Sequence, residues 1–307
     1  MKKLILIFMI LVVLTSTAFG QRKTELLIGT ASMGGAFYPV GQGISNLVTK
    51  YSGSFTMVPV VTGGAVENPR LVTLGDVDIA ITNANLAYFA SMGTAPFDRK
   101  YDIQSVASLY PSVLHIATLA KSSIKSINDL KGKRVAVGPA GGGTIDILKA
   151  ILEEYGMSLS DFTPSYLAYG DGFSEMSDGN VDVALALAGY PTAAVMQTVA
   201  TNKISFIQLE PARMANIIRK YPYYSDITVA KDVYKTDEDA VMIGVQNVLI
   251  VKRSLAEDTV YKITKAVFDN LPEFAAANAN AKQISMAKAS QVPIPLHPGA
   301  QKYFSGK

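Results

Sequence analysis

The sequence repeats one order of elements: an apolar strand, a glycine-rich turn and a helix. Short apolar runs predict strands at 26–28, 55–61, 77–82, 134–137 and 181–187. Helices are predicted at 37–50, from the second turn to about 74, at 144–155, from about 191 to 200, and at 258–276. Crossovers of this kind join parallel strands and place helices on both faces of the sheet. The sequence therefore predicts an α/β fold with mostly parallel sheets flanked by helices.

Two segments interrupt this order and predict a division into two lobes. Residues 105–119 form a long apolar stretch, and a late strand is predicted at 245–251. The chain length suits about two domains. We therefore expect lobe one to comprise 21–112 plus 248–307 and lobe two to comprise 113–247, with a hinge near residues 112 and 247.

Residues 1–20 have the order of a secretory signal peptide. Lys2 and Lys3 form a positive start, Leu4–Leu14 is an unbroken apolar run, and Ala18–Gly20 is a small-x-small cleavage site before Gln21. A membrane anchor is the alternative, but it needs roughly 20 apolar residues. Because the sequence has no cysteine, a lipid anchor on cysteine is excluded. We expect a periplasmic protein that does not span the membrane once the signal peptide is removed.

Charge and composition exclude several functions. Removal of Lys2 and Lys3 lowers the formal net charge from +3 to about +1, which does not favour a nucleic-acid partner. The absence of cysteine excludes disulfides, thiolate metal sites and cysteine nucleophiles. His115 lies in an apolar run and His297 among prolines, so a core role and a structural role are favoured over catalysis. We expect no catalytic residue, no metal site and no cofactor, and thus no enzyme.

Four glycine-rich turns form the candidate binding site: 29–35, 62–64, 138–144 and 188–190. Ligands of parallel sheets bind beyond the carboxyl ends of the strands, where the helices begin. The first N–H groups of a helix are free to donate, and the helix dipole favours an anion there. A structural role in tight turns is the alternative for any single turn. Together the turns predict an anionic or carboxylate-bearing ligand between the lobes, and they include Thr62 and Gly63 in its site.

The chain resembles the TAXI class of TRAP-transporter solute-binding proteins, which are the extracytoplasmic receptors of cation-driven importers. The matching stretches follow the order of that family from about residue 26 to 304. They are Ile28-Gly29-Thr30 with Phe37-Tyr38-Pro39, Thr62-Gly63-Gly64-Ala65-Val66-Glu67-Asn68, the stretch 129–138, Ala188-Gly189-Tyr190-Pro191, and Pro295-Leu296-His297-Pro298-Gly299-Ala300. The last two stretches are the most specific.

The resemblance implies the two-lobed type II periplasmic binding protein fold. It also implies a small carboxylate ligand, such as a C4–C5 dicarboxylate, 2-oxoglutarate or a glutamate-like acid, which is delivered to TRAP membrane permease subunits. Backbone N–H groups and threonine hydroxyls would bind the carboxylate, and aromatic rings would pack the carbon chain. The residues that it implies are Gly29, Thr30, Phe37, Tyr38, Asn83 and Asn85 in lobe one, and Gly142, Gly143, Thr144, Gly189 and Tyr190 in lobe two.

The sequence departs from the TAXI class at three places. Asn85 stands where that class often has aspartate, which favours a keto acid or simple dicarboxylate over an amino acid. The turn Ala140–Gly143 lacks the usual serine donor. Pro69 replaces leucine, and because proline favours the first helical position, the helix is expected to begin at Asn68, with that asparagine as its cap, rather than at Gly64.

Two other functions remain open on the same fold. One is a sensory or antigenic envelope protein that binds a ligand without importing it. The other is a periplasmic enzyme, which would turn over the bound acid.

Overall fold

The computed structural model describes residues 23–307, which contain one ten-stranded sheet. The predicted signal peptide, residues 1–20, lies outside the described residues. The strands are β1 Thr24–Gly29, β2 Phe55–Val60, β3 Ile79–Asn83, β4 Ile103–Leu119, β5 Arg134–Ala136, β6 Thr163–Ser165, β7 Val183–Ala188, β8 Ile204–Phe206, β9 Tyr224–Val229 and β10 Ala240–Lys252. Their order is β2-β1-β3-β10-β4-β7-β5-β6, while β8 pairs with β4 and β9 with β10.

Helices cover the sheet: all five segments predicted to be helical are helical, and five further helices were not predicted. The helices are α1 Phe37–Tyr51, α2 Asn68–Leu74, α3 Ala84–Met92, α4 Thr144–Glu154, α5 Tyr169–Ser177, α6 Ala193–Thr201, α7 Pro211–Lys220, α8 Lys231–Tyr234, α9 Glu257–Phe268, α10 Leu271–Ala277 and α11 Pro298–Ser305. The helix expected at 258–276 is two helices, α9 and α10. Pro272 explains the break, because it has no N–H and its ring would meet the carbonyl of Phe268 in a continuous helix.

The sheet is parallel except at two long strands. Strands β2 and β3 run parallel to β1, and β6 and β7 run parallel to β5. Strands β4 and β10 are antiparallel to each other and to their neighbours β7 and β3. The prediction of an α/β fold with helices flanking the sheet is thus confirmed. The sheet is mixed rather than mostly parallel, because four strand pairs are parallel and five, all made by β4 or β10, are antiparallel.

The long strands bend where the sequence predicts a hinge. The register of β4 and β10 shifts between Gln246 and Val248, opposite Pro111. Proline cannot donate to a ladder, and within sheets it favours such irregular places. The Asn247 side chain fixes the bend, since it donates to Ser112 Oγ at 2.9 Å.

The buried apolar residues fall into separate clusters on either side of this bend. One cluster takes its buried members from 26–110 and 248–303. Two further clusters take theirs from 113–245. This separation supports the lobes proposed from the sequence, 21–112 plus 248–307 and 113–247.

Within residues 23–307, the helices all lack the combination of length and apolar composition that crossing a membrane requires.

Helix α2 begins at Asn68, as expected, but this asparagine is not its cap. The cap position is Glu67, and the Asn68 side chain is fully buried. Its Nδ2 donates to the carbonyls of Thr30 at 2.8 Å and Ile81 at 2.7 Å, and its Oδ1 accepts from the Thr62 hydroxyl at 2.7 Å. The expected capping role is therefore wrong, because the side chain instead ties together the ends of β1, β2 and β3.

His115 is a buried core residue, as its apolar neighbours in the sequence indicate. Its Nδ1 lies 3.0 Å from the Ala186 carbonyl and its Nε2 lies 2.8 Å from the Tyr234 hydroxyl. Since the carbonyl can only accept, Nδ1 carries the hydrogen and Nε2 accepts from Tyr234. Burial lowers the pKa of His115 from 6.5 to about 4, and hydrogen bonds to backbone oppose this only in part.

We expect Asn68→Ala to lower the free energy of unfolding by about 2–4 kcal/mol, because it leaves buried carbonyls without a donor. Urea denaturation measures the effect. Asn46→Ala is the control, because Asn46 is exposed on α1 and should change stability by less than about 0.5 kcal/mol. Equal effects of the two substitutions would contradict the tying role of Asn68.

We expect the folded protein to lose stability as the pH falls from 6.5 to about 4, because His115 takes up a proton in the unfolded chain before it does so in the folded one. The contribution reaches about 3 kcal/mol at the acidic end. His115→Gln, which keeps a donor and an acceptor, should lose less over this range in urea denaturation. Near pH 8 histidine is neutral in the folded and the unfolded state, so the stability of neither protein should change with pH through this group. Equal losses of stability by the two proteins in acid would contradict the pKa assigned to His115.

Candidate functional site

A small cavity of about 20 Å³ lies where three of the four glycine-rich turns meet. The turns at 29–35, 62–64 and 138–144 all contribute to its wall, and the turn at 188–190 does not. The lining residues are Ala31, Ser32, Gly35, Ala36, Phe37, Gly63, Gly64, Ala65, Asn83, Pro139, Gly142, Gly143, Tyr169 and Leu187. The cavity therefore has walls from both proposed lobes.

Four helices begin at this cavity. Phe37 starts α1, Asn83 precedes α3, Gly143 precedes α4 and Tyr169 starts α5, and all four residues line the wall. No side chain of residues 23–307 caps any of these helix starts. Since the first N–H groups of a helix have no partner within it, and the helix dipole is positive at this end, the cavity is suited to an anion.

The wall carries no charged side chain among its lining residues. Its polar side chains are Ser32, Asn83 and Tyr169. Ser32 Oγ is buried and has no hydrogen-bond partner within residues 23–307, so its hydroxyl is free to donate to a ligand. Asn83 Nδ2 donates to Asn247 Oδ1 at 2.8 Å, which connects the cavity wall to the bend in the sheet.

Five of the residues predicted for the site line the cavity: Phe37, Gly63, Asn83, Gly142 and Gly143. Gly63 does so without a free donor, because its N–H donates to the Glu67 carboxylate. Gly142 likewise donates its N–H to the Pro139 carbonyl at 2.9 Å. The available backbone donors at the wall are therefore those of the helix starts, beside the Ser32 hydroxyl.

The three predicted threonines lie outside the lining, and their hydroxyl hydrogens are engaged within the protein. Thr30 donates to the Val60 carbonyl at 2.6 Å, and Thr62 lies within bonding distance of the Thr30 carbonyl, at 2.8 Å, and of Asn68. Thr144 Oγ1 accepts from the Leu187 N–H at 3.3 Å and contacts the Tyr169 hydroxyl at 2.8 Å. In this arrangement the threonines hold the ends of strands and helices in place around the cavity.

Thr144, Tyr169 and Leu187 form a closed ring of hydrogen bonds. The Tyr169 hydroxyl donates to the Leu187 carbonyl at 3.1 Å, so Thr144 must be the donor in its contact with Tyr169. Burial raises the pKa of the Tyr169 hydroxyl, which keeps its hydrogen. The ring fixes the starts of α4 and α5 against the end of β7.

Tyr169 is a site residue that the sequence reasoning missed. It follows the short strand β6 and opens a helix with glycine at positions 170 and 172, as in the other turns. Pro164 lies within that strand, and because proline argues against a strand in a central position, the sequence did not predict a strand there.

The other predicted residues lie outside the lining. Gly29 packs against Ala80, and Tyr38 is the second residue of α1. Gly189 lies against Asn280 and Tyr110, while the Tyr190 carbonyl accepts from Gln283 Nε2 at 2.8 Å. Asn85 lies on α3, with 3% of its surface exposed, and bonds to Asp146 instead.

Backbone contacts join the two proposed lobes beside the cavity. The Gly141 carbonyl accepts from the Val66 N–H at 2.9 Å, and the Gly34 carbonyl accepts from the Ala194 N–H at 3.1 Å and from Thr192 Oγ1 at 3.0 Å. The Gly34 carbonyl thus caps the start of α6 from the opposite lobe.

Glycine is required at Gly34 and favoured at Gly141. A Cβ on Gly141 would lie 3.1 Å from Gly63 Cα, and one on Gly34 would lie 2.7 Å from the Gly170 nitrogen. Glycine at Gly34 and Gly141 therefore serves the approach of backbone to backbone between the lobes.

Several proteins resemble this chain in sequence or fold. A putative aliphatic sulfonates-binding protein of Escherichia coli (strain K12) is 27% identical over 141 residues, which cover 46% of this chain and 39% of that protein. The alkanesulfonate-binding protein SsuA from Xanthomonas axonopodis pv. citri, bound to MOPS, has a TM-score of 0.51 and 15% identity, over 93% of this chain and 85% of that one. A TctC solute binding protein from Polaromonas has a TM-score of 0.50 and 16% identity, over 87% and 91%.

The structural similarities, at these low identities, show the fold. This chain has the fold of periplasmic solute-binding proteins, as its sequence predicts. The match to the Escherichia coli protein spans well under half of that relative.

A family model also matches the chain over residues 28–307, nearly the whole described part. The chain belongs to the NMT1-like family.

Proposed function

We propose that this protein is the periplasmic solute-binding subunit of an importer, and that its cavity binds the acid group of a small organic anion. The observation that carries this proposal is the meeting of four uncapped helix starts, two from each proposed lobe, at one cavity. The fold and the sulfonate-binding relatives support it. The bound solute would be handed to membrane permease subunits.

Backbone donors suffice for such binding. A hydrogen bond to a charged group contributes about 1.5–3 kcal/mol, and a helix start adds about 0.3–2 kcal/mol for an anion. A micromolar Kd requires about 8 kcal/mol, which a few such bonds can reach together with apolar packing. Phe37 and Leu187 supply apolar wall for the carbon chain of the ligand.

Two acid groups satisfy these donors. A sulfonate fits the names of the relatives from Escherichia coli and Xanthomonas. A carboxylate, on a C4–C5 dicarboxylate or keto acid, fits the resemblance to the TAXI class and its TRAP permease. In either case the lining offers no carboxylate to pair with an ammonium group, so an amino acid is the less favoured ligand.

Binding would close the cleft. Since the wall comes from both lobes, a ligand contacts both only in the closed arrangement, and it shifts the equilibrium by that difference in affinity. The bend of β4 and β10 at Pro111 and Asn247 is the proposed hinge.

We expect small organic anions to raise the melting temperature in a thermal-shift panel of alkanesulfonates, C4–C6 dicarboxylates, keto acids, amino acids and sugars. A ligand at a hundred times its Kd stabilises the protein by about 2.7 kcal/mol. Stabilisation by alkanesulfonates alone or by dicarboxylates and keto acids alone identifies the acid group. Stabilisation only by sugars or cationic amino acids would refute an anion site.

In titrations with the best acid of that panel, Ser32→Ala should weaken binding by about 3–10-fold, because it removes one free donor. Ser123→Ala is the matched control, since Ser123 is exposed and remote from the lining. Unchanged affinity of the Ser32 variant would place the ligand elsewhere.

Gly141→Ala should weaken binding of the same acid by about tenfold or more, because a Cβ there holds the lobes apart. Gly170→Ala is the control: Gly170 lies beside the contact with Gly34, yet its own Cβ would meet nothing within 4 Å. Isothermal titration calorimetry measures both. Equal affinities would show that binding does not need this approach of the lobes.

A further inference from the structure

We propose that Asn85 and Asp146 form an acid-sensitive contact between the lobes, which favours the closed cleft when Asp146 is protonated. This inference rests on the two-lobed binding function proposed above. Asn85 lies on α3 of lobe one, and Asp146 lies in the first turn of α4 in lobe two. Asn85 Nδ2 donates to Asp146 Oδ2 at 2.8 Å, outside the lining of the cavity.

The surroundings of this contact partly shield it from water. Asn85 is buried, and Phe89, one turn further along α3, packs edge-to-face on Tyr223 with ring centroids 5.5 Å apart. Tyr224 of β9 places its hydroxyl 3.3 Å from Asp146 Oδ2. Residues of α3 thus meet Asp146 of α4 and Tyr223, which precedes β9, in one aromatic and polar contact between the lobes.

The Asp146 carboxylate faces lobe one without a cation from that lobe. Its charged and titratable neighbours are Lys149 on its own helix and the hydroxyls of Tyr223 and Tyr224. Burial raises the pKa of Asp146, against the hydrogen bonds from Tyr224 and Asn85 and the charge of Lys149. Closing the cleft therefore removes a carboxylate from water in return for a neutral donor, which is unfavourable.

Asn85 supplies the second observation. Its Oδ1 is buried and has no hydrogen-bond partner within residues 23–307. A proton on the carboxyl group of Asp146 gives this oxygen a donor, so that acid and amide exchange two hydrogen bonds instead of one. Protonation thus both removes the buried charge and satisfies the buried acceptor.

The sign of the pH effect follows. In the open cleft Asp146 is exposed to water and titrates near its ordinary pKa of 3.8, whereas closing raises that pKa. The closed form then binds the proton more tightly, and each unit of difference favours closing about tenfold in the protonated protein. The closed fraction should rise as the pH falls towards 3.8.

The test measures closing directly and needs no ligand. Because the chain has no cysteine, Thr94→Cys and Asn180→Cys give a unique pair of spin labels on exposed residues of the two lobes. Distance distributions are recorded by pulsed electron resonance at pH 7.5 and pH 4.5. The closed population should grow at least about threefold in acid.

Two variants and a control accompany this pair. Asp146→Asn mimics the protonated group, since its amide can donate to Asn85 Oδ1, and it should give the acid distribution at both pH values. Asn85→Asp places two carboxyl groups together and should open the cleft at pH 7.5. Asp171→Asn changes the exposed first-turn acid of the neighbouring helix α5 and should behave as the unsubstituted protein.

Distances that do not change with pH, or an Asp146→Asn variant identical to the unsubstituted protein at both pH values, would overturn the proposal. If Asp146→Asn fails to fold, the Asn85→Asp distances decide the matter alone. The outcome is separate from that of the ligand panel. A pH-dependent closing, together with a panel in which no anion stabilises the protein, would refute the proposed function and leave this contact standing.

Discussion

The pairing of β4 with β10 is the constraint on which the rest of the molecule depends. These two antiparallel strands join the parallel strands of both lobes into one sheet, and they carry the bend at Pro111 and Asn247. The carboxyl ends of the parallel strands, and so the helix starts, meet at one cavity because both sets extend from this pair. Asn247 also holds Asn83 of the cavity wall, so the bend and the site share a hydrogen bond.

The preference for anions that we propose for the cavity would come from backbone, because its lining has no charged side chain. A buried lysine or arginine would need its own counter-charge in the empty cleft, whereas helix starts are positive through many small dipoles and need none. The chain as a whole likewise has a formal net charge of only +3 over 307 residues. The selectivity of the site then depends on where the helices start, which Thr144, Tyr169 and Leu187 fix through their ring of hydrogen bonds.

Much of the fold could be predicted from the sequence, because the order of strands, turns and helices and the apolar stretch at 105–119 are local signals. The partners of individual polar side chains could not, since distant segments supply them. From the sequence alone Asn68 resembles a helix cap, but in the fold it donates to carbonyls at β1 and β3. Thr144 resembles a donor to the ligand, but in the fold it donates its hydrogen to Tyr169. The glycines at Gly34 and Gly141 likewise show their role only when the second lobe lies against them.

The Gly34 carbonyl accepts hydrogen bonds at the start of α6, so another acceptor can compete with it for the same donors. Any outside group that accepts the hydrogen bonds of Thr192 and Ala194 replaces Gly34 and so favours the open cleft. A membrane subunit that presented a carbonyl or an acidic side chain there would lower the affinity for the solute without entering the cavity. Thr192 and Ala194 are buried in the closed arrangement, so this exchange of one acceptor for another becomes possible only as the lobes separate.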